Sequence, residues 1–525
     1  MKDQLRQVRL LMTVAIISIL IICIYFFVHF TSLFAAGYSP VDRIFAIILL
    51  AAESFFLIQG IGYALNVIKA NCYYVEEFDA QHFFSPTAEP KVAVCIPAFN
   101  EEAHTLEITL SACALMSYSN KKIYLLDDST STELAGDAQM LAEKYGAQYV
   151  HRTNRRGFKA GALNDILAQL DAHYLVILDA DQRPRHDFLS DIVPVLDADP
   201  QLAFIQTPQY YVNRTSSRVA NAAGSQQDVF YTNISEGKSA SNVMFACGTN
   251  VVLRLAALQA VGGFDERSVT EDFATSIELH SQGYSSYYYH HIFVDGEGPS
   301  SIAAYYLQQM RWAYGTTRAL GKLSKLFFAH PRRLSAGQWW GYILSGTWYL
   351  VGWAFFLLMI CPIAFLIFDV HPLLLNDTFA YFAFLLPYLI FSTIVFLVSM
   401  SLRNYPIKDQ FLGIIMTNLA FPVYILATTY AMIGKKIPFV VTPKTHANQA
   451  SLKYYWPHIV MIVSLAFSVV FGIYVRIGQL TLALAANVVW SLYSIVVLCS
   501  FVYFLKETGE LSIYDGDSFE QFVKV

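Results

Sequence analysis

Asp179-Ala180-Asp181 closes an apolar run at residues 174–178. Two carboxylates two residues apart on a turn are hard oxygen ligands. They suit Mg²⁺ or Mn²⁺, which also bind phosphate oxygens, so the pair could grip a metal and a nucleotide diphosphate together. The plainer alternative is an Asp-rich turn capping the next helix. Asp127-Asp128 ends a second run, 123–126, and offers acceptors to a base or ribose, or simply a strand-end turn. In the basic loop from Arg155 to Gly161, Lys159 could neutralise diphosphate charge, or the loop is a solvated turn. Thr270-Glu271-Asp272 opens a helical pattern. Asp272 there is either a general base, which must reach its hydroxyl with a suitable pKa, or part of an acidic first turn behind an N-cap. Gln308-x-x-Arg311-Trp312 puts three functional side chains on one side of a helix. Arg311 suits a leaving phosphate; Trp312 suits a sugar face or a membrane interface. Arg152 and Arg156 also make an R-x-x-x-R spacing, set aside because no receptor domain surrounds it.

Such residues need rigid elements behind them. Apolar runs at 92–97, 123–126, 174–178 and 203–206 read as strands, and helical patterns fill 105–115, 134–145 and 162–170. Strands alternating with helices predict a parallel sheet. Ligands in such sheets sit at the carboxyl ends of strands, where the paired acids stand.

Of 525 residues, 55% are hydrophobic and only 14% charged, against about 25% charged in an average soluble domain. That excludes a disordered chain and a wholly soluble one. The net charge of −5 gives no basic excess and argues for no nucleic acid. The seven cysteines show no C-x-x-C spacing, so neither a zinc site nor a disulfide framework is expected. Apolar stretches of about 20 residues can cross a bilayer. They occur at 10–30 and 44–67, then at 342–368, 379–400, 411–433, 459–477 and 480–505. The first is too long for a cleaved leader and a second span follows it. Lys2, Arg6 and Arg9 place the N-terminus inside, so two spans return the large polar region to the cytosol. The stretch 411–433 carries Thr417, Asn418, Pro422, Thr428 and Thr429, and crossing would put the basic loop after it outside. It therefore reads as interfacial or re-entrant, leaving six crossings. The expected organisation is membrane helices in 1–70, a cytosolic domain in 71–325, interfacial helices and a channel in 326–510 with a loop at 435–453, and a short tail at 511–525.

Asp127-Asp128, Lys159-Ala160-Gly161, Asp179-Ala180-Asp181, Thr270-Glu271-Asp272 and Gln308-x-x-Arg311-Trp312, in that order, resemble the processive membrane family-two glycosyltransferases. Cellulose, chitin, hyaluronan and related β-glucan synthases belong there. Phe439-x-Val441-Thr442-x-Lys444 resembles the gating loop of cellulose synthases. Phe245-Ala246-Cys247-Gly248-Thr249 is similar to their acceptor-site segment, and Gln206-Thr207-Pro208 also matches. The resemblance implies an α/β GT-A cytosolic domain fused to an α-helical transmembrane channel of about six spans plus interfacial helices. It implies a processive, inverting, metal-dependent transferase that polymerises a UDP-sugar, UDP-glucose first, into a β-glucan and exports it across the plasma (inner) membrane. Asp127, Asp128, Lys159, Asp179 and Arg311 would bind the donor nucleotide, and Asp181 with Asp179 the Mg²⁺ or Mn²⁺. Asp272 would be the base. Glu271, Cys247, Gly248, Gln308 and Trp312 would face the acceptor, and Phe439, Val441, Thr442 and Lys444 would close over the donor. The implied partners are the UDP-sugar, the growing polysaccharide and the lipid bilayer, with a homo-oligomer or accessory export subunits left open. Competing readings are a glycolipid synthase, a hyaluronan- or chitin-type synthase using UDP-N-acetylglucosamine, and a transporter without catalysis. The sequence departs from bacterial cellulose synthases in its two leading spans and in Thr249, where they usually carry serine. The short tail leaves no room for a cyclic-dinucleotide-binding domain, so control through one in cis is not expected.

Overall fold

The computed structural model describes residues 2–34, 37–80, 89–373, 378–436, 452–479 and 481–505. The strands, in chain order, are β1 (Val92–Ala98), β2 (Lys121–Asp127), β3 (Gln148–His151), β4 (Tyr174–Ile177), β5 (Arg183–Pro184), β6 (Leu202–Gln206), β7 (Tyr210–Tyr211), β8 (Val251–Arg254), β9 (Ser285–Tyr288) and β10 (Val294–Gly296). Seven of them form one sheet in the order β3-β2-β1-β4-β8-β6-β9; β5, β10 and β7 form a small second sheet. β1 is buried almost throughout, because helices cover both faces, as in parallel sheets generally. Val92, Val94 and Ile96 pack with Leu106 and Leu110 on one side and with Phe188 and Ile192 beyond. Ala93 and Cys95 face Ala162, Leu163 and Ile166 on the other.

The four expected strands all form, and the helices Ala103–Leu115 and Thr132–Lys144 stand where the periodicity placed them, while the third, Phe158–Leu167, begins four residues before the expected 162 and ends three before 170. The sheet, however, is mixed rather than parallel. β8 lies antiparallel to both β4 and β6, with Val251 opposite Ile177. An antiparallel strand begins where its neighbour ends. β8 therefore delivers the segment 245–250 to the carboxyl edge of β4, beside Asp179, which a parallel strand would not do.

Among the described residues, five helices are long and apolar enough to cross a membrane, within Gln7–Ser32, Pro40–Cys72, Ala336–Phe368, Trp456–Val475 and Leu482–Leu505. The expected crossing at 379–400 is a helix, Thr378–Ser401, whose apolar part Leu385–Ser401 is shorter. The stretch 411–433 is not one helix. Ile407–Leu419 and Phe421–Met432 meet at a 49° bend, with Pro422 in the first turn of the second helix, where its missing N–H breaks no ladder. The globular domain is fastened to the helical region by partly buried polar contacts. Arg403 donates to both oxygens of Glu236 at 3.0 and 2.6 Å, and Lys69 donates to the Ser241 hydroxyl at 2.8 Å.

Candidate active site

Helix Phe158–Leu167 starts at Gly157, and a Cβ on Gly161 would lie 1.8 Å from the Arg156 carbonyl oxygen. Only glycine allows that tight entry, which sets Lys159 in the first turn. The Lys159 ammonium donates to Asp179 Oδ1 at 2.5 Å and to the Gly248 carbonyl at 2.8 Å. It thus ties the end of β4 to the segment entering β8. Burial works against its charge, but Asp179, Glu271 and Asp272 outweigh that and hold its pKa above the usual lysine value. The Thr249 hydroxyl accepts from the Asp179 N–H at 2.9 Å, so Thr249 supplies an acceptor hydroxyl where serine was the expected residue. The buried Gln206 fixes the same segment. Its amide accepts from Cys247 N–H at 2.8 Å and donates to the Thr249 and Asn250 carbonyls at 2.9 and 3.1 Å.

Gly248 has φ +84°, in the left-handed region. A Cβ there would sit 3.1 Å from Asp272 Oδ2 and 3.9 Å from Lys159 Nζ. Asp272 opens helix Glu271–Ser281. The capping alternative fails on geometry, because Thr270 makes no side-chain cap bond and its buried hydroxyl finds no partner among the described residues. Asp272 accepts instead from the Phe273 N–H at 2.7 Å. Burial, then the neighbouring Glu271 carboxylate, pushes its pKa up to about 7. Burial also raises Glu271, against the pull of Lys159 and Arg311. Helix Ile302–Ala329 presses on this corner through Gly315, where a Cβ would meet Thr270 at 2.5 Å. That close approach brings Arg311 within electrostatic reach of both acids. Gln308, three residues back, donates to the Tyr211 hydroxyl at 3.4 Å.

Asp127 and Asp128 stand at the end of β2, with β1 between them and β4, about 10 Å across at normal strand spacing. Asp127 accepts from Ser129 N–H at 3.0 Å and Tyr149 hydroxyl at 2.8 Å, and its Oδ2 lies 3.2 Å from His151 Nδ1. Asp128 is clamped by Arg152 at 2.7 and 2.5 Å. Arg152 and Arg156 both also bond Asp165, which accounts for the R-x-x-x-R spacing as local structure. Among the described residues no group of three or more His, Cys, Asp or Glu side chains could hold a metal. Phe439, Val441, Thr442 and Lys444 lie outside the described residues.

A cavity of about 910 Å³ is lined at one end by Asp272, Cys247 and Trp312. Val351, Phe355, Leu358, Pro362 and Phe365 line it further on, and His371 and Pro372 beyond them. These residues recur along the membrane helix Val351–Phe368, so the cavity follows that helix for about 21 Å at 1.5 Å rise per residue. The sequence reading missed two charged residues in its wall, Glu53 and Lys238. Lys238 donates to the Gly341 carbonyl and the Ser345 hydroxyl at 3.1 and 2.5 Å, and burial pushes its pKa down to about 7.

The acid-lined edge of a GT-A-like mixed sheet thus stands beside a cavity between apolar helices, and Asp272 lines that cavity. Residues 174–400 match the model described as glycosyl transferase family group 2. The chain is 25% identical over 451 residues to a cellulose synthase catalytic subunit (UDP-forming) of Pseudomonas fluorescens, covering 81% of this chain and 58% of that protein. It is 30% identical over 309 residues to the counterpart from Xanthomonas axonopodis pv. citri, covering 57% and 40%. The matched part of the chain thus spans 58% and 40% of the length of these two relatives. A solved mannosyltransferase of Pyrobaculum calidifontis, in complex with GDP-mannose and Mn²⁺, superposes with a TM-score of 0.51 at 17% identity, covering 75% of this chain and all of that one; this likeness is one of fold.

Proposed function

We propose that the protein is a processive inverting β-glycosyltransferase that polymerises a UDP-sugar, UDP-glucose first, into a β-glucan and passes the chain through the cavity between its membrane helices. The observation that carries the proposal is the position of Asp272. A carboxylate whose pKa is raised to about 7 lines the same cavity that runs along helix Val351–Phe368. Such a group is matched to taking a proton near neutral pH. Asp272 accepts the proton of an acceptor hydroxyl as that oxygen attacks the anomeric carbon. The new carbon–oxygen bond forms on one face while the bond to the diphosphate breaks on the other, so one displacement inverts the centre and releases UDP. Arg311 and Lys159 supply positive charge toward the leaving diphosphate. Asp127 and Asp128 face the nucleoside, Glu271, Cys247, Gly248 and Gln308 bound the acceptor, and Trp312 gives the acceptor sugar a flat apolar face.

Asp179 and Asp181 form a hard-oxygen pair fit for Mg²⁺ or Mn²⁺, and two carboxylates leave room for the diphosphate oxygens to complete the shell. When bound, the ion would withdraw charge from the departing diphosphate. The phenylalanine-to-lysine motif at 439–444 would close over the donor. The basic N-terminal residues support a cytosolic catalytic domain at the plasma membrane, with export away from the cytosol. UDP release by the purified protein, measured across a panel of UDP-sugars with linkage analysis of the product, tests this reading. Long β-linked chains from UDP-glucose support it; a single sugar added to a lipid, or no release with any donor, refutes it.

A further inference from the structure

Glu53 lies inside the apolar helix Pro40–Ala80, within the span Pro40–Cys72. A carboxyl group in such a span is costly unless it faces a cavity or the bundle interior, so its presence there calls for a use. It lines the cavity, and with Asp272 it is one of two carboxylates that do so among the described residues. Two residues of helix Lys2–Ser32 hold it. The Tyr25 hydroxyl donates to Glu53 Oε2 at 3.0 Å, and His29 Nδ1 contacts the same oxygen. His29 is itself 3% exposed, and its Nε2 finds no partner among the described residues. Both contacts fall on one carboxyl oxygen, which fixes the rotamer. Tyr388, stacked on Tyr25 with centroids 5.7 Å apart, and Trp490 add aromatic faces to the same stretch of wall.

The carboxyl group stands well beyond the reacting centre. Tyr349 is in electrostatic reach of Asp272, and Cys361 in reach of Glu53. Those two positions are separated by about 18 Å of helical backbone. Packing alone does not account for the arrangement, because an apolar side chain would join the two helices without a desolvation penalty.

Resting on the glycan-export reading above, we infer that Glu53, positioned by His29 and Tyr25, is a binding station for the product: it accepts hydrogen bonds from the hydroxyls of a β-linked pyranose seated against Tyr388 and Trp490. Its role is to hold the chain between additions, so that elongation outruns release.

Two measurements test this. In proteoliposomes, Glu53→Ala should shorten the mean polymer about fivefold, the worth of roughly one hydrogen bond held against release. Glu53→Gln, which keeps an acceptor oxygen, should recover most of the length. In detergent, cellohexaose binding followed by tryptophan fluorescence should weaken about fivefold in Glu53→Ala by the same reasoning, with UDP affinity reporting that the variant is folded. Should Glu53→Ala not fold, Tyr25→Phe decides, with a smaller loss in both readings. Unchanged chain length and unchanged cellohexaose affinity overturn the inference. Wild-type protein that releases no UDP but still binds cellohexaose through Glu53 would sink the catalytic reading and leave the station standing.

Discussion

Asp272→Asn removes the proton acceptor and little else, since the amide keeps the size of the side chain and can still accept from the Phe273 N–H. General-base catalysis contributes about 10²–10⁴-fold, and transfer should fall by that amount. The pH dependence is a sharper test. The pKa of Asp272 is raised to about 7, by burial and then by Glu271. The active form is the deprotonated one, present above that value. Transfer should therefore fall toward a limiting tenfold per pH unit on the acid side, about 50-fold between pH 7, where half the groups are deprotonated, and pH 5. Glu271→Gln withdraws the neighbouring negative charge, so the acid limb should move to lower pH. The assay is initial UDP release against pH at saturating and subsaturating donor, with UDP affinity measured separately. Asp272→Asn should bind UDP as the wild type does. An acid limb absent between pH 5 and 8, or an Asn variant within tenfold of wild type, would refute the assignment.

Three further outcomes follow from the same geometry. Gly248→Ala forces a side chain into the left-handed region, which costs about 1–2 kcal/mol, and places a methyl 3.1 Å from Asp272 Oδ2; turnover should drop with UDP affinity kept. Trp312→Ala removes an aromatic wall beside Asp272 and should reduce elongation of an added oligosaccharide while leaving UDP binding unchanged. Arg403→Ala takes from the buried Glu236 the guanidinium that donates to both its oxygens, and breaking a buried pair costs about 3–5 kcal/mol; thermal unfolding in detergent should show the loss, and adding Glu236→Gln should restore part of it.

Asp127-Asp128 and Asp179-Ala180-Asp181 were legible because each ends an apolar run, and a strand end is where the sheet presents its ligands; Thr270-Glu271-Asp272 was legible as the start of a helix. The convergence of Lys159, Asp179, Gly248 and Asp272 was not. It depends on β8 running antiparallel, and the four residues Val251–Arg254 carry no signal of direction. The bend at Ala420 was legible only as polarity, through Pro422 and the threonines around it. Glu53 had a signal that went unread, a carboxylate in the interior of the 33-residue apolar span Pro40–Cys72, well past the Asp42 of its first turn. Lys238 had none: it lies in an ordinary polar stretch, and only tertiary packing buries it against Gly341 and Ser345.

The central claim is that the pocket holding Asp272 opens into a path through the lipid. Inverted membrane vesicles, with the catalytic domain facing outward, test it directly when supplied with UDP-sugar and then treated with a glycan-degrading enzyme. Polymer that survives until detergent opens the vesicles is the result predicted here. Polymer digested at once, on the side where it was made, would contradict the account.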